Sequence, residues 1–155
     1  MALFARHHDL SALSNRLHDT DAVTSELMAE IVAATCRRFP PARPTGKTAR
    51  IERLIGCEAW TDVALALIDL ELPQWQVRRI IYDEGEWHCA LSRQRELPDW
   101  LDQAIEAHHL DLPLAILAAF VDAQRITAPS TRTSVPTAPY GANLRCVAVC
   151  CDNFA

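Results

Sequence analysis

Apolar positions recur at helical spacing along most of this chain and at strand spacing in one stretch. Leu3, Leu10, Leu13 and Leu17 fall three, four or seven residues apart, which predicts a helix over residues 2–18. Asp19, Thr20 and Asp21 then supply capping side chains for a second helix, from about 21 to 38, carrying Val23, Leu27, Ile31 and Ala34. Together they read as a helical arm over residues 1–39. Pro40, Pro41 and Pro44 stop it, because proline lacks the N–H that a helix needs and restricts the residue before it. Thr48 is the expected N-cap of a third helix reaching Leu72. Its apolar set is Ile51, Leu54, Ile55, Trp60, Val63, Ala64, Leu67, Ile68 and Leu70, with Glu58, Asp62 and Asp69 on the wet side.

Past Pro73 the period changes. Gln74 to Tyr82 and Glu86 to Ser92 are two β-prone runs around Asp83-Glu84-Gly85, a hairpin signature. A two-residue Glu84-Gly85 loop sets Tyr82 across from Trp87 and Arg78 across from Leu91. A three-residue loop with Gly85 left-handed in a bulge sets Ile81 across from Trp87 and Val77 across from Leu91. The second gathers Trp75, Val77, Ile81, Trp87, Cys89 and Leu91 on one face. A one-residue slip exchanges the faces of a strand, so the pattern favours the three-residue loop.

Pro98 suits the first turn of a short helix through Trp100, Leu101, Ala104 and Ile105. Asp111 is placed to cap another, carrying Leu114, Leu117, Phe120 and Val121 and ending near Thr127. Residues 128–143 are rich in Pro, Ser, Thr and Ala without periodicity and read as a flexible linker. Leu144 to Cys151 is short and β-prone, a candidate third strand returning to the hairpin. The expected fold is α+β: an antiparallel β-hairpin packed against helices, with an N-terminal helical arm. The expected divisions are an arm over 1–39, an α-β-β-α core over 48–127, and a linker with a short strand or tail over 128–155.

Composition narrows the class. The chain has 155 residues, half of them apolar and 23% charged, the composition of one globular domain. The net charge of -5 is uneven, with +2 over residues 1–50, -8 over 51–127 and +1 over 128–155. Phosphate recognition needs clustered Lys and Arg, so the acidic centre disfavours nucleic acid. No apolar run is long enough for a membrane span, and the first residues lack the pattern of a signal peptide. Six cysteines without an export signal are expected as reduced thiols in the cytoplasm.

The chemical candidates are few. Gly46-Lys47-Thr48 has the ending of a phosphate-binding loop, but Pro41 stands where that loop needs its first glycine, and no strand precedes it. Cys146, Cys150 and Cys151, with His88, are the candidate metal ligands. They lack paired ligand spacing, and adjacent cysteines in a strand point to opposite faces. Cys89 and His88 are neighbours and are separated by the same alternation, so they do not make a nucleophile and its base. His108-His109 reads as polar surface at a helix junction. Arg38 to Pro44 has the spacing of a polyproline ligand, a pattern common in proline-rich linkers. Arg78, Arg79, Arg93 and Arg95 lie near Asp83, Glu84, Glu86 and Glu96, and mutual pairing on a solvated sheet accounts for them.

Leu70-Glu71-Leu72-Pro73-Gln74-Trp75, Arg79-Ile80, Asp83 to Cys89, Leu91-Ser92-Arg93 and the terminal Cys150 to Ala155 resemble small alphaproteobacterial proteins, particularly rhizobial ones, of unassigned activity. The resemblance covers residues 60–155 and implies a bacterial origin; it carries over no functional residues. The reading is therefore a non-enzymatic accessory or protein-interaction module with a protein partner, no cofactor and no membrane. The alternative is a small thiol- or metal-dependent protein using the C-terminal cysteines.

Overall fold

The computed structural model describes residues 2–39, 43, 45–93 and 104–127. Over these the chain is α+β, with five helices and a three-stranded antiparallel sheet. The order is α1 (Ala2–His18), α2 (Ser25–Thr35), α3 (Gly46–Gly56), α4 (Trp60–Glu71), β1 (Gln76–Asp83), β2 (Glu86–Ser92), β3 (Ala104–His109) and α5 (Leu112–Thr127).

The core is organised by α5. From Leu114 to Val121 every residue of this helix is buried. A helix apolar on all sides needs partners on all sides, and α5 has them: α1, α4, β2 and β3 all pack against it. Its alanines, Ala115, Ala118, Ala119 and Ala123, let these neighbours approach closely. From α1 come the buried side chains of Leu10, Leu13 and Leu17, and Ser14 donates to Asp122 of α5 at 3.3 Å. The N-terminal helices thus share one apolar cluster with the rest of the described chain.

The expected single helix over 48–72 is two helices. Cys57 ends α3, Glu58 adopts φ 53, and the N–H groups of Glu58 and Ala59 donate to the carbonyls of Ile55 and Leu54 at 3.0 Å. This is a Schellman ending, normally completed by glycine at the left-handed position. Here the glycine, Gly56, falls two residues early and a glutamate takes the strained conformation. The cap of α3 is also one turn earlier than expected: Thr45 is the N-cap and Thr48 its reciprocal partner in a capping box. Likewise Thr24, rather than the Asp19 to Asp21 cluster, caps α2 by accepting from the Leu27 N–H at 3.2 Å. The Glu71 carboxylate accepts from the N–H groups of Arg37, Arg38 and Phe39 at 3.0, 2.7 and 2.9 Å, which ties the end of α4 to the chain leaving α2.

The hairpin turn is the two-residue one. Asp83 lies opposite Glu86 and Tyr82 opposite Trp87, with Glu84 at φ 51 and Gly85 at φ 92. The expected pairing of Ile81 with Trp87 is therefore replaced, and Ile81 faces His88 on the far side of the sheet. The other end keeps the expected pairing of Val77 with Leu91, because a β-bulge between Val77 and Arg79 absorbs Arg78. Each of the two registers read from the pattern holds at one end of the ladder. Ile80, not Ile81, packs toward the core along with Val77, Trp87, Cys89 and Leu91.

The third strand lies where a helix was expected. Residues 104–109 pair with β2, with Ile105 opposite Leu91, Ala107 opposite Cys89 and His109 opposite Trp87. The helix expected through Ala104 and Ile105 is thus a strand at those residues; Pro98, Trp100 and Leu101 lie outside the described residues, as do the linker over 128–143 and the candidate strand Leu144 to Cys151. None of the described helices is long and apolar enough to cross a membrane.

Candidate functional site

One face of the sheet is covered by α5. The other carries the polar chemistry, and cross-strand register arranges it in rows. Arg79, Ala90 and Glu106 form one row; Ile81, His88 and His108 form the next. In the first, Arg79 Nη2 reaches Glu106 Oε1 at 3.2 Å across the central strand. The small, buried Ala90 lies beneath this ion pair. In the second, the His88 and His108 rings have centroids 5.7 Å apart, and His18, the last residue of α1, lies 6.4 Å beyond His108. His88 and His108 each also meet a carboxylate on the diagonal. His108 Nδ1 stands 2.8 Å from Glu86 Oε2 and His88 Nδ1 3.6 Å from Glu106 Oε1. The first distance requires a proton between the two atoms; the second is an electrostatic contact beyond hydrogen-bond range.

At the hairpin end the surface is apolar. Tyr82 is 61% exposed and leans on Trp87, ring centroids 5.1 Å apart, at 54°. Trp87 continues this surface inward to the core. Leu110, 68% exposed, follows the end of β3 that pairs with Trp87, so it belongs to the same end of the sheet.

His88, alone among the candidate metal ligands, falls in the described part, where it meets His108, Ile81 and Glu106. Cys146, Cys150 and Cys151 lie outside it. Cys89 is fully buried, and loss of solvent pushes its thiol from a usual value of 9.0 up to about 12. It faces Ile80 and Ala107 in the register, and His88 points the other way. Cys36 is pushed to about 11, chiefly by burial, against a lowering by its contact with Thr35. Gly46-Lys47-Thr48 is the first turn of α3: Thr48 completes the capping box, and Lys47 Nζ pairs with Asp69 at 2.8 Å. In the polyproline-like segment, Phe39 is buried and its N–H is held by Glu71.

Arg79 and Arg93 have partners distant in sequence. Arg79 takes Glu106 from β3, and Arg93 stacks over the Trp75 ring at 4.8 Å and donates to Thr127 Oγ1 at 3.3 Å. Arg95 and Glu96 lie outside the described residues.

Glu106 is missed by a reading that makes Ala104 and Ile105 helical; of the pair expected at a helix junction, His108 lies on the outer face of β3 and His109 moves into the core. Its Nδ1 accepts from the Asp111 N–H at 3.0 Å. The signal was present: Ile105, Ala107 and His109 alternate with Glu106 and His108 at strand spacing. Among the described residues, no three His, Cys, Asp or Glu side chains are placed to hold a metal ion. No protein-family model, curated protein or solved structure matches this chain.

Proposed function

We propose that this protein is a non-enzymatic interaction module whose contact surface is the hairpin end of the sheet. One observation carries the reading: Tyr82, 61% exposed, rests on Trp87 at the end of the sheet that also carries Leu110, 68% exposed. Scattered apolar residues on a surface are ordinary. A tyrosine backed by a tryptophan anchored in the core is different, because partner binding then orders little that is not already ordered, and such aromatics dominate interface energetics. The polar flank formed by Asp83, Glu84 and Glu86 supplies an acidic rim, which favours a basic edge on the partner. The burial of Cys89, with His88 on the opposite face of the strand, supports the same reading over one in which Cys89 is a nucleophile.

Tagged wild-type chain recovered from its native cell is expected to bring down a partner in fixed ratio. Tyr82→Ala and Leu110→Ser should each weaken that recovery at least tenfold with an unchanged urea midpoint. Equal recovery by wild type and both variants contradicts the proposal.

A further inference from the structure

We propose that the open edge of β1 pairs with the same edge of a second copy of this chain, joining two three-stranded sheets into one of six strands. Among the described residues, β1 has β2 on one side and no strand on the other. The opposite edge strand, β3, has the end of α1 beside it, with the His18 ring 6.4 Å from that of His108. Folded proteins ordinarily blunt an open edge with lysine, proline or a bulge. Here the bulge lies at Arg78, and residues 79–83, Arg-Ile-Ile-Tyr-Asp, carry neither lysine nor proline. Ile81 and Tyr82 in this stretch are large apolar side chains left exposed.

The hairpin decides which backbone groups of β1 face outward. Asp83 and Glu86 flank its two-residue turn and so form a hydrogen-bonded pair. Bonded and non-bonded pairs alternate from there along an antiparallel ladder. The N–H and C=O groups of Ile80 and Tyr82 therefore point away from β2. A second β1 running antiparallel satisfies them when Ile80 lies opposite Tyr82 of the other copy and Ile81 lies opposite its own counterpart on a two-fold axis. In that register Arg79 also meets Asp83 of the other copy. The result is an ion pair, an aromatic–aliphatic pair and an aliphatic pair, each of a kind that stabilises neighbouring strands. Arg79 keeps Glu106 at 3.2 Å on its own sheet and has further N–H groups for a second carboxylate. Moving the register one repeat either way sets Ile81 against Arg79 or against Asp83, so the strand complements itself in one alignment. Such a short stretch of paired residues makes a small interface, and assembly therefore follows concentration.

Sedimentation equilibrium of the full chain under reducing conditions should show a reversible monomer–dimer equilibrium. Ile81→Lys sets two like charges against each other on the axis and should weaken the dimer at least about tenfold. Arg79→Asp and Asp83→Arg each set like charges across a pair and should also weaken it, whereas the double variant restores the ion pair and should return to within about threefold of wild type. That recovery separates a lost contact from a lost fold. Tyr82 belongs both to this edge and to the hairpin-end contact, but Leu110 belongs to the latter alone. Leu110→Ser should therefore leave the dimer unchanged, so the two proposals fail separately. Hydrogen exchange at the Ile80 and Tyr82 N–H groups should slow as concentration rises. A chain that is monomeric at every concentration, or a dimer indifferent to Ile81→Lys, overturns the proposal. So does a double variant no better than the single ones, or protection of the two N–H groups that is independent of concentration, which would place a segment of the same chain on the edge.

Discussion

Glu84 and Gly85 both hold positive φ, 51 and 92, at the centre of the hairpin turn. Such a turn is ordinarily announced by Asn-Gly or Asp-Gly, whose first residue tolerates the left-handed region. Glutamate does not announce it, so the choice between the two turns rested on the apolar pattern alone. The geometry predicts opposite effects of two substitutions. Glu84→Asn should raise stability by about 0.5 to 1 kcal/mol, by placing a better left-handed residue. Gly85→Val should lower it by at least about 1 to 2 kcal/mol. Nothing lies within 4 Å of a Cβ built on Gly85, so that cost is backbone strain and not collision. Urea unfolding of the two variants checks both signs; a neutral Gly85→Val would mean that the turn is not left-handed at that residue. Cys89 gives a second residue-scale test. Its buried thiol keeps its proton to about 12, against 9.0 for an ordinary thiol. The folded state is then the tighter proton binder, so the stability this group contributes is complete below about pH 9 and is lost as pH rises toward 12. Cys89→Ala removes that titration at the cost of a small cavity. The stability gap between wild type and variant should be constant to about pH 8.5 and narrow above pH 9, whereas a constant gap to pH 10.5 would show a solvated thiol.

At the scale of elements, what the sequence revealed followed from how strongly each pattern was stated. The helix α5 was legible because Leu114, Leu117, Phe120 and Val121 recur at helical spacing before Thr127. Its burial on all sides was not, because alanines between them carry no amphipathic signal. The break between α3 and α4 was hidden because the left-handed residue is Glu58 and not the nearby Gly56. The strand β3 was hidden because Ala, Glu and His are poor strand formers. It is held there by pairing with β2 and by burying Ile105 and Ala107 on α5, an override of local preference by tertiary contact. The candidate site suffered most from this one error, since Glu106 and His108 supply half of the polar outer face. The bulge at Arg78 explains why hydrophobic pattern alone misplaced Ile81: the pattern is read on one register, and the strand uses two.

At the scale of the whole molecule, the sequence suggests an arm beside a core, and the structure puts Leu10, Leu13 and Leu17 of α1 in one cluster with α5. Burying three leucines is worth about 2 kcal/mol each, or about 6 kcal/mol together, a large part of the 5 to 15 kcal/mol typical of a domain. A chain beginning at residue 25 should therefore lose at least about 5 kcal/mol of stability, or unfold outright. An unchanged urea midpoint would show that α1 is dispensable.

The central claim concerns which surface meets the partner. A photoreactive phenylalanine analogue placed at Tyr82, and in a separate chain at the exposed Glu52 of α3, samples both surfaces in the native cell under the same conditions. Irradiation should give one discrete covalent adduct from position 82 and none from position 52, and Leu110→Ser should abolish the adduct. Equal labelling from both positions, or an adduct from position 52 alone, would contradict a contact surface at the hairpin end.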